Sequence, residues 1–260
     1  MNIFDNAATT IATHVASVLL AGIITWLYGW LILKTRFNAR VRQATQHLRI
    51  AEALQKERQY SKAKDELIKT IELLRDEHRS LLLSQAYVRL GDVSLSLKEY
   101  DRAIEFFILS KEVARNVRHA TSEDVILLRM GKAYFYAGQT EDAVRCLEDA
   151  RRIEERVVDH PLLGETYSRL GEVEARQRHS EIAISYYSRA LDYHEKIGDR
   201  RSVAASRVCL GDLNLGIAEV DQALGQLSAA REEYNELGDF PLVAMLDNKI
   251  VQIKQGVKPA

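Results

Sequence analysis

The chain has 260 residues, and its 36 Lys and Arg nearly balance its 37 Asp and Glu, for a formal net charge of −1 at pH 7. This balance leaves no global positive charge for nucleic-acid binding, so nucleic acid is excluded as the expected partner. The two cysteines, Cys146 and Cys209, have neither metal-ligand spacing nor a disulfide framework, which is typical of a protein in a reducing compartment.

After a short tail at residues 1–10, the first predicted element is a transmembrane helix at residues 11–33. This segment contains no Asp, Glu, Lys or Arg. As a helix it would be about 34 Å long, enough to cross a hydrocarbon core of about 30 Å. A cleaved signal peptide is disfavoured because the start carries Asp5 and no basic residue. Aromatic residues typical of a membrane interface lie near the end of the segment: Trp26, Tyr28 and Trp30.

A basic juxtamembrane segment is predicted at residues 34–42. No acidic residue occurs between Asp5 and Glu52, whereas several basic residues follow the apolar segment: Lys34, Arg36, Arg40, Arg42 and Arg49. The positive-inside rule then places the following domain in the cytoplasm and the N-terminus outside. We expect a bacterial inner membrane, and a mitochondrial outer membrane facing the cytosol, which has the same topology, stays open as the alternative.

Small residues recur at strict four-residue steps within the predicted span: Thr13, Ser17, Ala21, Thr25 and Gly29. Such spacing lets two helices approach closely in lipid. One interpretation is a packing face for a second copy or for another subunit of a membrane complex. The other is that small residues are simply frequent in membrane spans, and the pattern does not decide between the two.

A repeat of 40 residues organises the rest of the chain, residues 43–240. A tripeptide marks it at Arg89-Leu90-Gly91, Arg129-Met130-Gly131, Arg169-Leu170-Gly171 and Cys209-Leu210-Gly211. An alanine series runs in step with the tripeptides: Ala63, Ala103, Ala143, Ala183 and Ala223. Each unit contains two helical apolar patterns and no strand alternation. A fixed period of this length predicts an all-α solenoid of about five helical hairpins.

The repeat resembles the tetratricopeptide repeat (TPR). The resemblance is carried by the Leu-Gly pair of the first helix and by an alanine followed by a bulky residue in the second: Phe107, Leu147, Tyr187 and Leu227. The length of 40 residues is similar to the long-helix class found in kinesin light chains. The first unit departs from the pattern, with Ala51 in place of glycine. The resemblance implies that the first helices line a concave groove that binds a protein or peptide partner.

After the repeats, residues 241–256 keep a helical apolar stripe and are predicted to form a capping helix over the last hairpin, with a tail at residues 257–260. No Ser/His/Asp order, glycine-rich phosphate loop or paired-carboxylate pattern is present in the sequence. We therefore expect no enzymatic activity, no cofactor and no metal, although the array could still be the regulatory part of an enzyme.

Candidate partner-binding residues follow from the resemblance, which points the arginine before each Leu-Gly into the groove. Guanidinium groups at one per repeat would suit an acidic partner. The alternative is pairing within each helix, since Asp92 and Glu172 lie three residues after Arg89 and Arg169. Arg129 and Lys132 have no acidic residue in that register and are favoured. The predicted groove set is Arg89, Arg129, Lys132, Tyr136, Arg169 and Arg176.

Two functions are consistent with this sequence. The first is a membrane-anchored cytoplasmic adaptor that binds a protein partner in the groove. The second is an accessory subunit of a larger membrane complex, recognised mainly through its transmembrane helix. The identity of the partner, the oligomeric state and the pathway do not follow from the residues.

Overall fold

The computed structural model describes residues 3–75, 81–115, 123–158 and 160–256, with side chains from residue 22 onward. These ranges contain α-helices and no strand, so the prediction of an all-α fold is confirmed. The helices are α1 (Ile3–Lys56), α2 (Tyr60–Leu74), α3 (Leu81–Ser96), α4 (Tyr100–Arg115), α5 (Glu123–Tyr136), α6 (Thr140–Glu154), α7 (Leu163–Arg176), α8 (Ser180–Ile197), α9 (Arg200–Gly216), α10 (Val220–Glu236) and α11 (Phe240–Lys254).

The helices form five antiparallel hairpins. The C-terminal part of α1 pairs with α2, and α3 with α4, α5 with α6, α7 with α8, and α9 with α10. The second helix of each hairpin packs against the first helix of the next, and α11 closes the array against α10. The predicted solenoid of TPR-like hairpins is therefore present.

The odd-numbered helices lie on the inner side of the curved array. Helix α1 contacts α3, α3 contacts α5, and α5 contacts α7. No comparable contacts join the even-numbered helices of successive hairpins in the described ranges. First helices that are closer together than second helices give the solenoid a concave face formed by α3, α5, α7 and α9.

Each hairpin is held together by a glycine on its first helix that faces a large side chain 16 residues later. A Cβ atom at Gly131 would lie 2.5 Å from Cγ of Leu147, and one at Gly211 would lie 2.7 Å from Cγ of Leu227. The alanine series is fully buried at the same crossings. The sequence period is thus a packing period: small residues let the two helices approach, and one bulky residue fills the space.

The turn inside each hairpin contains one residue in the left-handed conformation. These residues also recur every 40 positions: Arg58 (φ 59°), Lys98 (φ 62°), Gly138 (φ 81°), Arg178 (φ 65°) and Ala218 (φ 68°). Four of the five carry a Cβ atom in a region that favours glycine, which costs about 1–2 kcal/mol each. Between hairpins, Gly198 and Gly238 end α8 and α10 with φ of 73°, as expected from their positions in the repeat.

Helix α1 runs without interruption from Ile3 to Lys56, so one rod joins the predicted span to the first hairpin. Its apolar side chains at residues 23–33 are exposed, with Trp26 and Leu33 each 68% accessible. Within the described part of the chain, no helix combines the length and apolar character needed to cross a membrane. The side chains of residues 11–21, including Thr13, Ser17 and Ala21 of the predicted packing face, lie outside the described residues.

Candidate partner-binding groove

Arg89, Arg129 and Arg169 occupy equivalent positions on α3, α5 and α7, the helices of the concave face. Each is half-buried, because its aliphatic stem lies along the helix while the guanidinium reaches the surface. The predicted register of one arginine per repeat is therefore present on the inner side. What these arginines contact decides whether they can bind a partner.

The first two arginines pair with the preceding repeat. Arg89 Nη2 lies 3.3 Å from Glu52 Oε2, and Arg129 Nη1 donates to Asp92 Oδ1 at 2.6 Å. The expected pair Arg89–Asp92 within one helix is wrong, as is the expectation that Arg129 lacks an acidic partner. The physical reason is the offset between neighbouring hairpins, which places each arginine opposite the acid 37 residues earlier. These ion pairs join successive repeats.

Arg169 behaves as the alternative interpretation predicts. Its Nη1 donates to Glu172 Oε2 at 2.8 Å on the same helix, and its Nη2 lies 3.7 Å from Glu165 Oε1. Two carboxylates on α7 thus neutralise this guanidinium, so the positive charge of the arginine series is largely used within the protein.

Lys132 differs from the arginines. It lies one turn after Arg129 on α5 and is half-buried, and no carboxylate among the described residues forms an ion pair with it. Burial lowers the pKa of Lys132, and repulsion from Arg169 and Arg129 acts in the same direction, against the attraction of Glu165 and Asp92. A cation in this position gains stability when a new carboxylate approaches it.

A depression of about 410 Å³ lies beside this lysine. Its wall includes Arg129, Lys132, Tyr100 and Tyr136. The rings of Tyr100 and Tyr136 stack across two hairpins with centroids 5.7 Å apart and an interplanar angle of 22°. The structure therefore brings three predicted residues, Arg129, Lys132 and Tyr136, to one place, next to an aromatic surface that can pack against a peptide.

The remaining predicted residues lie elsewhere. Arg176 donates through Nη1 to the backbone oxygen of Phe135 at 2.9 Å, and its guanidinium lies 3.5 Å from the centroid of the Phe135 ring. These contacts hold the third hairpin to the fourth. Arg89 pairs with Glu52 and does not line the depression. Thr25, on the predicted packing face, donates to the backbone oxygen of Gly22 at 3.0 Å.

A larger depression of about 680 Å³ lies between α7 and α9, and sequence reasoning missed it. Its polar wall is mainly acidic, with Glu165, Glu172 and Asp199 around Arg169, and Cys209 lies at its base. The only signal in the sequence is Cys209, which stands where the other units have arginine. A short side chain there leaves the space that an arginine would fill.

A third group of polar side chains is buried between the third and fourth hairpins. The donor atoms of Asp124, Glu154 and His160 all lie within 4.8 Å of one another. Burial raises the pKa of Glu154 to about 7, against the lowering effect of its hydrogen bond from Thr166. Sequence spacing does not indicate this group, because 30 and 6 residues separate its members and only the hairpin brings them together.

Two family models described as tetratricopeptide repeat match the chain, at residues 84–116 and 122–196. These segments are tetratricopeptide repeats. They include α3 to α8, the helices that carry Arg129, Lys132 and Tyr136. The predicted TPR character of the array is confirmed.

Known proteins of similar sequence and structure agree. Tetratricopeptide repeat protein 29 of Macaca fascicularis is 26% identical over 180 residues, which are 69% of this chain and 37% of that protein. The chain thus spans little more than a third of this TPR relative. A Podosopora anserina protein with nearly identical TPR-like repeats is 17% identical with a TM-score of 0.63, covering 77% of this chain and 98% of that one. The apo form of RapI has a TM-score of 0.62 at 17% identity, covering 82% and 84% of the two chains.

Proposed function

We propose that the TPR array is an adaptor that binds an acidic segment of another protein in its concave groove. The observation that carries this proposal is Lys132, a half-buried lysine on the inner face without an ion pair among the described residues. Arg129 and Arg169 flank it and add positive potential. A carboxylate in the depression would restore the balance of charge around these three cations.

The groove offers a second kind of contact beside the charge. The stacked rings of Tyr100 and Tyr136 present a flat apolar surface next to Lys132. Tyr136 is 38% exposed, so most of its uncovered area is available to a partner. An acidic segment with an aliphatic or aromatic neighbour would fill both parts of the depression, and aromatic residues of this kind often dominate binding energy.

Crosslinking inside the cell tests this proposal at residue level. A photoreactive phenylalanine analogue at Tyr136 lines the depression, and the same analogue at Glu105 lies exposed on α4, away from it. We expect an adduct with a partner from position 136 and none from position 105. Lys132→Glu should remove the adduct, whereas Lys62→Glu, the same charge change on an exposed residue of α2, should leave it. An adduct that survives Lys132→Glu would contradict the proposal.

We further propose that α1 tethers the array to the cytoplasmic side of a membrane, with a bacterial inner membrane as the first choice. Support comes from the absence of charge at residues 11–33 and from the exposure of the apolar side chains at residues 23–33. A helix that is apolar on all sides needs an apolar environment. The basic flank begins with Lys34, whose Nζ lies 4.7 Å from the centroid of the Trp30 ring.

Membrane fractionation with a single introduced charge tests the tether. Ile24→Arg places a cation in the middle of the apolar segment, which is costly in lipid. We expect the protein to move from the membrane fraction, after alkaline carbonate washing, into the supernatant. Ile50→Arg is the matched control, because Ile50 is an exposed residue of the same helix beyond the segment. Equal behaviour of both variants would rule out the tether.

The alternative function, an accessory subunit recognised through this helix, rests on the face that contains Thr25 and Gly29. A Cβ atom at Gly29 would meet nothing within 4 Å in the described chain. Gly29→Ile therefore disturbs only a contact with another molecule. Loss of a co-purifying membrane subunit or of a homo-oligomer in this variant, with Lys132→Glu unaffected, would favour the alternative over the groove adaptor.

A further inference from the structure

Asp124, Glu154 and His160 come from three parts of the fold. Asp124 lies in the first turn of α5, Glu154 is the last residue of α6, and His160 lies in the connection before α7. Their donor atoms all lie within 4.8 Å of one another, and His160 Nε2 is 3.1 Å from Asp124 Oδ2. The cluster thus sits where the third hairpin ends and the fourth begins.

The two carboxylates are buried without enough partners. Glu154 is 0% and Asp124 is 2% exposed. Thr166 Oγ1 donates to Glu154 Oε1 at 3.0 Å, but Glu154 Oε2 has no hydrogen-bond partner among the described residues. Buried charges in proteins are normally paired or bound to metals, because an unpaired one is costly. A single imidazole cannot balance two carboxylates.

We propose that Asp124, Glu154 and His160 form a binding site for one divalent cation of the Zn²⁺ class. Two oxygen ligands and one imidazole nitrogen suit a metal of borderline hardness, and a water molecule or the second Glu154 oxygen would complete four-coordination. Ligand atoms about 2.0–2.2 Å from one ion lie roughly 3.3–4.2 Å apart. The donors observed within 4.8 Å therefore need only small side-chain movements.

Neighbouring groups already orient the ligands. The Thr166 hydroxyl fixes Glu154, and Tyr193 Oη of α8 donates to the backbone oxygen of His160, which holds the connection in place. Coordination through Nε2 requires the imidazole proton to move to Nδ1. The long contact of 3.4 Å from the Leu162 N–H to Nδ1 would then be lost, at little cost. The bound ion would join α5, α6 and the start of α7.

Calorimetry on the full chain, purified in detergent without a polyhistidine tag and stripped with a chelator, tests the site. We expect one equivalent of Zn²⁺ to bind per chain. A hundredfold excess over Kd should raise the unfolding midpoint by about 5–10 °C. Glu154→Gln keeps the shape of the side chain and removes its charge, and Asp124→Asn does the same at the second ligand. Each should weaken binding at least tenfold, since removal of a ligand costs at least as much as removal of its outer-shell partner.

The control is Glu174→Gln, which removes the carboxylate that lies 2.8 Å from Nδ1 of the exposed His179. This change should leave the affinity and the stoichiometry unchanged. Far-ultraviolet circular dichroism of each metal-free variant verifies that it is folded. Absence of saturable Zn²⁺ binding to the folded wild-type chain would overturn the proposal, and so would equal binding by wild type, Glu154→Gln and Asp124→Asn.

Discussion

Gly91 of α3 lies directly against the ring of Phe107 of α4. A Cβ atom at Gly91 would be 2.4 Å from Phe107 Cε1 and 2.7 Å from Cζ, closer than real carbon atoms approach. Phe107 is fully buried and closed in by neighbours on all sides. The glycine is therefore required by the packing of the hairpin and not by its backbone conformation.

Gly91→Ala should destabilise the array by about 1–3 kcal/mol, because the ring can move away only by disturbing a close-packed core. Gly225→Ala is the matched control: this glycine is exposed on α10, and a Cβ atom there meets nothing within 4 Å. It should stabilise α10 by about 0.5–1 kcal/mol. Urea unfolding followed by circular dichroism measures both, and equal effects of the two substitutions would refute this account.

The relation between Gly91 and Phe107 shows why the fold was predictable from the sequence. Both residues recur at the same spacing in every later hairpin, so the period alone identifies the helix crossing. The partner of Arg89 was not predictable, since the contact with Glu52 depends on the offset between two separately formed hairpins. The same holds for Asp124, Glu154 and His160, which no periodic pattern connects, and for the depression opened by Cys209.

The left-handed turn residues predict stability changes of opposite sign. Ala218 (φ 68°) and Gly138 (φ 81°) occupy equivalent turns with equivalent backbone hydrogen bonds. Ala218→Gly should stabilise the protein by about 0.5–1 kcal/mol, because it relieves the clash of Cβ in this conformation. Gly138→Ala should destabilise it by about 1 kcal/mol for the same reason. Thermal unfolding of both variants provides the measurement, and shifts of the same sign would show that strain in the turn does not control stability.

Asp199 predicts a dependence on pH. It is the N-cap of α9, where its Oδ1 accepts a hydrogen bond from the Ser202 N–H at 3.2 Å. The Ser202 hydrogen bonds lower the pKa of Asp199 in the folded protein, although burial opposes the shift. The carboxylate thus contributes stability above its unfolded pKa of about 3.9, and this contribution is lost as the pH falls through the lower folded value.

Asp199→Ala should therefore cost about 0.5–2 kcal/mol at pH 7 and much less at about pH 2. Asp239 is the matched control, because it occupies the N-cap position of α11 without accepting a backbone hydrogen bond there. Asp239→Ala should cost less than Asp199→Ala at pH 7. Urea unfolding at both pH values measures the difference, and a cost for Asp199→Ala that does not change with pH would contradict the capping role.

Asp92 controls how much positive charge the groove offers to a partner. Its carboxylate accepts from Arg129 at 2.6 Å, and burial raises the pKa of Asp92 against the opposing influence of Arg129 and Lys132. Asp92→Asn keeps the size of the side chain and removes the charge that neutralises Arg129. The variant tests the electrostatics of the groove with little change in its shape.

Under the proposed acidic-segment function, Asp92→Asn should bind a fluorescein-labelled decaglutamate peptide several-fold more tightly than wild type, and Lys132→Glu should bind it more weakly. Both differences should shrink as salt is raised from about 50 mM to 500 mM, since ions screen exposed charges. Asp221→Asn, on an exposed residue of α10, removes the same charge far from the groove and should match wild type. Fluorescence anisotropy measures the affinities. If Asp92→Asn and Asp221→Asn bind equally, Arg129 and Lys132 do not form an anionic subsite.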